Sequence, residues 1–113
     1  MKKKTNELIG PALDYAAARA QGMRPSMFIV KQSGDLALEH RYSRLWAKGG
    51  PIIEREGIGL IQPGSTLCGE WGASYHHPDF MDGTGPTPLV AAMRCYVLKK
   101  LGDEVDIPEE LIN

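Results

Sequence analysis

The sequence predicts an α+β fold, in which a small, mainly antiparallel β-sheet of about four strands is packed with two long helices. Two observations support this prediction. Two segments repeat apolar residues at helical spacing, and short strand-like segments bounded by glycine and proline lie between them. The 113 residues fit a single compact domain, 1–113, which can bury a core without disulfides or metals.

Composition argues against several broad classes of function. The net charge of -1 gives no overall basic field, so we expect neither a nucleic-acid partner nor a membrane partner. Cys68 and Cys95 form no CxxC pair and are predicted to be reduced thiols. The basic residues 2–4 are followed by polar residues instead of a signal sequence, and the apolar-rich run 89–98 is too short to span a bilayer. We therefore expect a cytoplasmic protein, and no cofactor.

The first predicted helix follows Thr5, which can cap a helical turn. Pro11 suits the first turn of a helix, and Gly22 is a fitting end. Between them, apolar residues recur at helical spacing and form one stripe that faces the core. These residues are Leu8, Ile9, Ala12, Leu13, Ala16, Ala17 and Ala20.

Strand patterns dominate the next part of the chain. Residues 27–30 predict a strand, and the Ser-Gly-Asp sequence at 33–35 predicts a turn. Residues 36–43 then alternate in polarity, which predicts a hairpin with one buried face.

The segment around Gly49-Gly50-Pro51 predicts a break in the chain. It opens a short helical turn over 52–56, which Gly57 ends. Residues 58–62 predict a further strand, stopped by Pro63.

The clearest strand pattern is the alternation over 67–75. It is followed by a polar loop rich in glycine and proline at 76–86, and loops of that length are often functional. Thr87 then caps the second long helix, which is predicted over 88–101 and ends before Gly102.

This second helix carries an unusual charge. Arg94 is the only charged residue between 89 and 98. A helix that is apolar nearly all round needs two burying surfaces, the core and, we expect, a second copy of the chain, so we predict a homo-oligomer. Arg94 itself needs a counter-charge. It forms either a structural ion pair, with Asp14 or Glu54, or an anion-binding site at a pocket or subunit seam.

Other residues are candidates for ligand contact. His76, His77 and Asp79 suggest a metal, but adjacent histidines point to opposite sides of a strand end and no third ligand completes a known motif. We favour a polar loop in which one histidine packs on Tyr75 or Trp71, with contact to a ligand as the alternative. Tryptophans and tyrosines provide either a surface on which a base stacks or part of the core. No nucleophile signature indicates catalysis. The full set of candidate ligand contacts is Arg94, Trp46, Arg55, Trp71, Tyr75, His76, His77, Asp79 and Thr87.

Three segments carry a family resemblance. They are KTNELIGPALDYAAARAQG at 4–22, WAKGGPIIEREGIGL at 46–60 and GPTPLVAAMRCYVLKKLGDEVDIPEEL at 85–111. They resemble the NinX-like proteins of lambdoid and related phages. The resemblance implies a phage-encoded accessory protein that acts in the host cytoplasm. It implies no activity, catalytic residue or cofactor.

Three hypotheses of function follow from the residues and the resemblance. The first is a non-enzymatic, homo-oligomeric binder of a small anionic, nucleotide-like ligand, which would sequester a host defence signal. The second is an adaptor or inhibitor that binds a host protein through the apolar second helix. The third is a small hydrolase that uses His76 or His77.

Overall fold

A computed structural model of the chain describes residues 1–28, 31, 33, 35–75 and 82–112. These residues form a compact α+β fold with three α-helices and two small antiparallel sheets. The predicted fold class is confirmed, whereas the predicted pair of long helices and the single sheet are not. The helices are α1 (Gly10–Ala20), α2 (Trp46–Glu56) and α3 (Pro88–Leu101), and the strands are β1 (Lys2–Lys4), β2 (Gly59–Ile61), β3 (Trp71–Ser74), β4 (Gly83–Gly85) and β5 (Glu104–Asp106).

Helix α3 is the centre of the fold. It begins and ends as predicted, because the Thr87 hydroxyl accepts a hydrogen bond from the Val90 N–H at 3.1 Å and Gly102, with φ 92°, follows its last turn. Residues 89–97 are all buried, since α1, α2, β3 and β4 pack around them. One chain therefore supplies both burying surfaces, and this helix no longer argues for a second copy of the chain.

Helix α1 packs its alanine-rich face against α3. Leu13, Ala16 and Ala17 of the predicted apolar stripe are fully buried, but its member Ile9 precedes the helix and is 55% exposed, so its placement on the core face is wrong. Thr5 begins a separate 3-10 turn, and α1 itself begins at Gly10. Strand β1, which precedes this 3-10 turn, pairs with β5, which follows α3. The sequence did not predict this two-stranded sheet.

Helix α2 is longer than predicted. It begins at Trp46 and continues through Gly49 and Pro51, where we expected a break. A Cβ added at Gly49 would lie 2.6 Å from the Leu89 side chain, so glycine at this position allows α2 to approach α3 closely. Gly57 ends the helix in the left-handed region, with φ 69°, as predicted.

The second sheet has the order β2-β3-β4. Strand β2 confirms the strand predicted over 58–62, but β3 is much shorter than the predicted strand 67–75 and leaves Leu67 fully exposed. Strand β4 lies where a loop was predicted. Its glycines explain the difference, because a Cβ at Gly83 would lie 2.6 Å from the Ala91 carbonyl oxygen, and the sheet can thus lie directly against α3.

Of the hairpin predicted between residues 27 and 43, the described residues contain an isolated bridge position at Leu36 and no strand. Pro25–Met27 and Leu38–His40 are 3-10 turns, and Leu38 is exposed although the alternation placed it on a buried face. A side-chain hydrogen bond also holds this segment, since Arg41 Nε donates to the Leu36 carbonyl at 3.1 Å. Residues 29, 30, 32 and 34 of the predicted hairpin lie outside the described residues.

Candidate functional site

The starts of all three described helices line one groove of about 400 Å³. Helix α1 contributes its first residue, α2 contributes its first residue and the segment leading into it, and α3 contributes its cap and first turn. We call this cavity the Trp46 groove. Its lining residues are Ile9, Gly10, Ser43, Arg44, Trp46, Pro86, Thr87, Pro88, Leu89 and Val90.

Trp46 is the most prominent side chain of the groove. Its indole remains 54% exposed, although it is the largest apolar side chain of α2. Ile9, across the groove, is also more than half exposed. An exposed indole at the wall of a cavity offers a face on which a planar group can stack.

The starts of the helices direct the positive ends of three helix dipoles towards the groove. The first backbone amides of a helix have no partner within it, and the helix dipole places partial positive charge at that end. At the start of α2, Lys48 and Gly49 donate to the Leu45 carbonyl, while the amides of Trp46 and Ala47 have no partner among the described residues. Such amides bind anions.

Arg44 forms part of the groove wall and is held by two carboxylates. Its Nε lies 2.8 Å from Asp14 Oδ2, and its two terminal nitrogens lie 2.9 and 2.7 Å from the oxygens of Asp35. The hydrogen bond with Arg44 lowers the pKa of Asp35 to about 2, whereas burial raises the pKa of Asp14. This network fixes the segment leading into α2 against α1.

Arg94 is buried behind the groove and does not line it. Its Nε donates to the Leu8 carbonyl at 2.9 Å and its Nη1 to the Thr84 carbonyl at 2.8 Å. The predicted ion pair with Asp14 or Glu54 is therefore wrong, because Asp14 pairs with Arg44 and, within the described part of the chain, no carboxylate lies within 4.0 Å of the Arg94 guanidinium. Burial lowers the pKa of Arg94.

A second group of polar side chains lies at the opposite ends of α2 and α3. The Tyr75 hydroxyl donates to Glu56 Oε1 at 3.1 Å, Lys99 Nζ lies 4.1 Å from the centre of the Tyr75 ring, and a depression of about 290 Å³ adjoins them. Burial raises the pKa of the Cys95 thiol, which lines the depression, to about 12. We call this group the Tyr75 cluster: Arg55, Glu56, Tyr75, Tyr96, Lys99 and Lys100.

Electrostatics distinguishes the two sites. The Tyr75 cluster lies where α2 and α3 end, and cations at that position compensate the negative end of the helix dipole. Arg55 and Lys100 also pair with Glu56, and Asp82 lines the adjoining depression. The Trp46 groove lies at the positive ends of the same helices. The charge of Arg44 there is paired with Asp14 and Asp35, so the helix ends and the first amides of α2 are the groups that would attract an anion.

The structure divides the predicted contact residues among several places. Trp46 and Thr87 meet in the Trp46 groove, Arg55 and Tyr75 meet in the Tyr75 cluster, and Trp71 packs half-buried against the core. His76, His77 and Asp79 lie outside the described residues. The sequence analysis missed Arg44, Ile9 and Pro86. One feature of the sequence could have indicated Arg44 as a groove residue, because it stands two residues before the candidate Trp46 in the segment leading into α2.

A comparison with protein families identifies the chain. A family model described as Bacteriophage P22, NinX matches residues 4–100. The chain belongs to the phage NinX family. The matched range includes every residue that lines the Trp46 groove in this NinX-family protein. A search among curated proteins finds no match.

Two further observations concern the NinX-family chain within its described residues. They contain no group of three or more His, Cys, Asp or Glu side chains placed to hold a metal ion. None of their helices has the length and apolar character needed to cross a membrane.

Proposed function

We propose that this NinX-family protein is a phage accessory protein of the host cytoplasm that binds a small anionic, nucleotide-like ligand in the Trp46 groove without converting it. One observation carries the proposal. The starts of three helices, each a positive dipole end, line the same groove as an exposed indole, and the Trp46 and Ala47 amides at the start of α2 have no partner among the described residues. The groove thus combines an aromatic face with an anion-attracting wall.

The chemistry of the groove favours a nucleotide of small size. A base stacked on Trp46 would contribute about 1–3 kcal/mol, and phosphate oxygens would accept hydrogen bonds from the amides at the helix starts. Ligand cavities range from about 300 to 1,000 Å³, so a groove of about 400 Å³ is at the small end. It suits a mononucleotide better than a dinucleotide.

The biological role that fits such a binder is sequestration. A phage gains by capturing a host nucleotide signal used in defence, and capture requires stoichiometric binding and no turnover. We propose self-association through the apolar rim of the groove, where Ile9 and Trp46 are both more than half exposed. A second copy there would close the groove and shield the ligand from water.

Native mass spectrometry of the protein purified from its host tests the ligand and the oligomeric state together. We expect an oligomer that retains a nucleotide-sized mass. Calorimetric titration with AMP, GMP and cyclic AMP then compares the wild type with Trp46→Ala, for which we expect at least about tenfold weaker binding because stacking is lost. Trp46→Phe keeps an aromatic ring and serves as the matched control. Equal affinity of the wild type and Trp46→Ala would overturn the site.

The same titration examines the hydrolase alternative. His76 and His77 lie outside the described residues, so the test of this alternative is whether the nucleotide is hydrolysed during the titration. Recovery of the bound nucleotide intact supports sequestration, whereas its hydrolysis would overturn the non-enzymatic proposal.

A second candidate function is an adaptor or inhibitor of a host protein. The apolar side chains of the groove wall favour it, since Ile9, Trp46 and Leu89 can also receive an apolar side chain of a partner. A monomer without a retained small molecule, which captures one host protein that Trp46→Ala does not capture, would select this function over the first.

A further inference from the structure

We infer that Arg94 is a positioning residue of the Trp46 groove, which it supports from behind by joining two of its walls. The inference rests on the proposed function only where it concerns ligand affinity. The joining of the walls can be tested without any ligand.

The two hydrogen bonds of Arg94 end next to two separate segments that line the groove. Leu8, whose carbonyl accepts from Nε at 2.9 Å, directly precedes Ile9 and Gly10. Thr84, whose carbonyl accepts from Nη1 at 2.8 Å, lies two residues before Pro86. A guanidinium is planar and rigid, so two of its nitrogens fix the positions of both carbonyls relative to each other. The separation of the walls is thereby set by one side chain.

The charge of Arg94 acts on the same groove. Arg94 follows Val90 by one helical turn on α3, and Val90 lines the groove. Arg94 as a residue is only 8% exposed, and its Nε and Nη1 both donate to neutral carbonyls. Glu70 favours the charged form from a greater distance. A positive charge with so little compensation attracts an anion in the groove.

Two substitutions separate these effects. Arg94→Met removes the charge and both hydrogen bonds, whereas Arg94→Lys keeps the charge and loses the planar fork. Arg19→Met is the matched control, because Arg19 also donates to a backbone carbonyl, that of Met23, but at the other end of α1 from the groove.

Amide hydrogen exchange followed by mass spectrometry measures the walls directly. We expect exchange about tenfold faster in Arg94→Met for peptides covering 8–12 and 84–90, because each lost charged hydrogen bond shifts local opening by at least that factor. Peptides of β2 and β3 should exchange as in the wild type, which shows that the fold is intact. If Arg94→Met does not fold, Arg94→Lys carries the same measurement with a smaller increase.

Titration with AMP and GMP adds the ligand. We expect affinity to fall about tenfold in Arg94→Lys and further in Arg94→Met, with no change in Arg19→Met. Unchanged exchange at both walls in a folded Arg94→Met would overturn the positioning role. Faster exchange at the walls without any binding of AMP or GMP by the wild type would support that role and count against the proposed ligand, so the two failures are distinguishable.

Discussion

Asp14 and Arg44 form an ion pair whose carboxylate is fully buried. Arg44 Nη2 lies 2.8 Å from Asp14 Oδ2, and the Asp14 side chain has no exposed surface while that of Arg44 is 31% exposed. The other oxygen of Asp14 accepts the Ser43 N–H at 2.7 Å. The pair therefore joins the middle of α1 to the segment that leads into α2 and forms part of the Trp46 groove.

Substitution of Asp14 should separate the roles of its acceptor atoms and its charge. Asp14→Ala leaves the Ser43 N–H and part of the Arg44 guanidinium without an acceptor, so we expect the free energy of unfolding to fall by about 2–3 kcal/mol. Asp14→Asn keeps an oxygen for Ser43, and burial raises the pKa of the carboxyl, so its effect should be clearly smaller. Urea unfolding of both variants measures this. Equal losses would show that the charge dominates.

The pH dependence of stability should contain a contribution from Asp35. The hydrogen bond with Arg44 lowers the pKa of this carboxyl from 3.8 to about 2 in the folded state. The unfolded chain therefore binds the proton more tightly, and the stabilisation present above pH 4 is lost as the pH falls towards 2. Thermal unfolding of the wild type and Asp35→Asn between pH 5 and 2 tests this, and their difference in stability should shrink as the pH falls. A difference that is constant with pH would contradict the assignment.

The neighbouring glycines of α2 should respond to alanine in opposite directions. A Cβ at Gly49 would meet the Tyr42 carbonyl and the Leu89 side chain, so Gly49→Ala should destabilise the fold by about 1–3 kcal/mol. A Cβ at Gly50 meets only Trp46 Cε3, at 4.0 Å, and Gly50→Ala should stabilise the helix by about 0.5–1 kcal/mol. Chemical denaturation of the two variants checks the signs. Destabilisation by both would place the close contact elsewhere.

The two cysteines should differ in reactivity. Cys68 is exposed, whereas Cys95 is fully buried and burial raises the pKa of its thiol to about 12. The native protein should therefore react with one equivalent of a thiol reagent, and the unfolded protein with two. Cys68→Ser should show no fast reaction until it is unfolded. Rapid modification of Cys95 in that variant would indicate that the depression beside Tyr75 opens to solvent.

Local sequence signals determine part of this fold. The cap at Thr87, the start at Pro88 and the stop at Gly102 define α3 within the segment itself, because hydrogen bonding at helix ends depends on residues a few positions apart. The stripe of α1 and the strand β2 were predicted for the same reason. The family resemblance was also contained in the sequence.

Tertiary contacts decided the rest. Pairing of β1 with β5 joins residues about a hundred positions apart, and no local pattern reports it. Helix α2 runs through Gly49 and Pro51 because packing against α3 outweighs their low helix propensity. Within the described residues between 27 and 44, hydrogen bonds from the side chains of Arg41 and Arg44, which reach Leu36 and Asp35, are likewise not encoded in the polarity alternation.

The candidate site shows the same division. The residue types that suggested an anionic ligand, an arginine and several aromatics, were visible in the sequence, whereas the exposure of Trp46 was not. Their grouping was not. Arg94 was expected to meet a carboxylate or a ligand, and it binds two carbonyls instead. The Trp46 groove arises where three helices that are distant along the chain begin side by side, because the packing that buries α3 brings their starts together. That packing is non-local, and the periodicity of one segment cannot encode it.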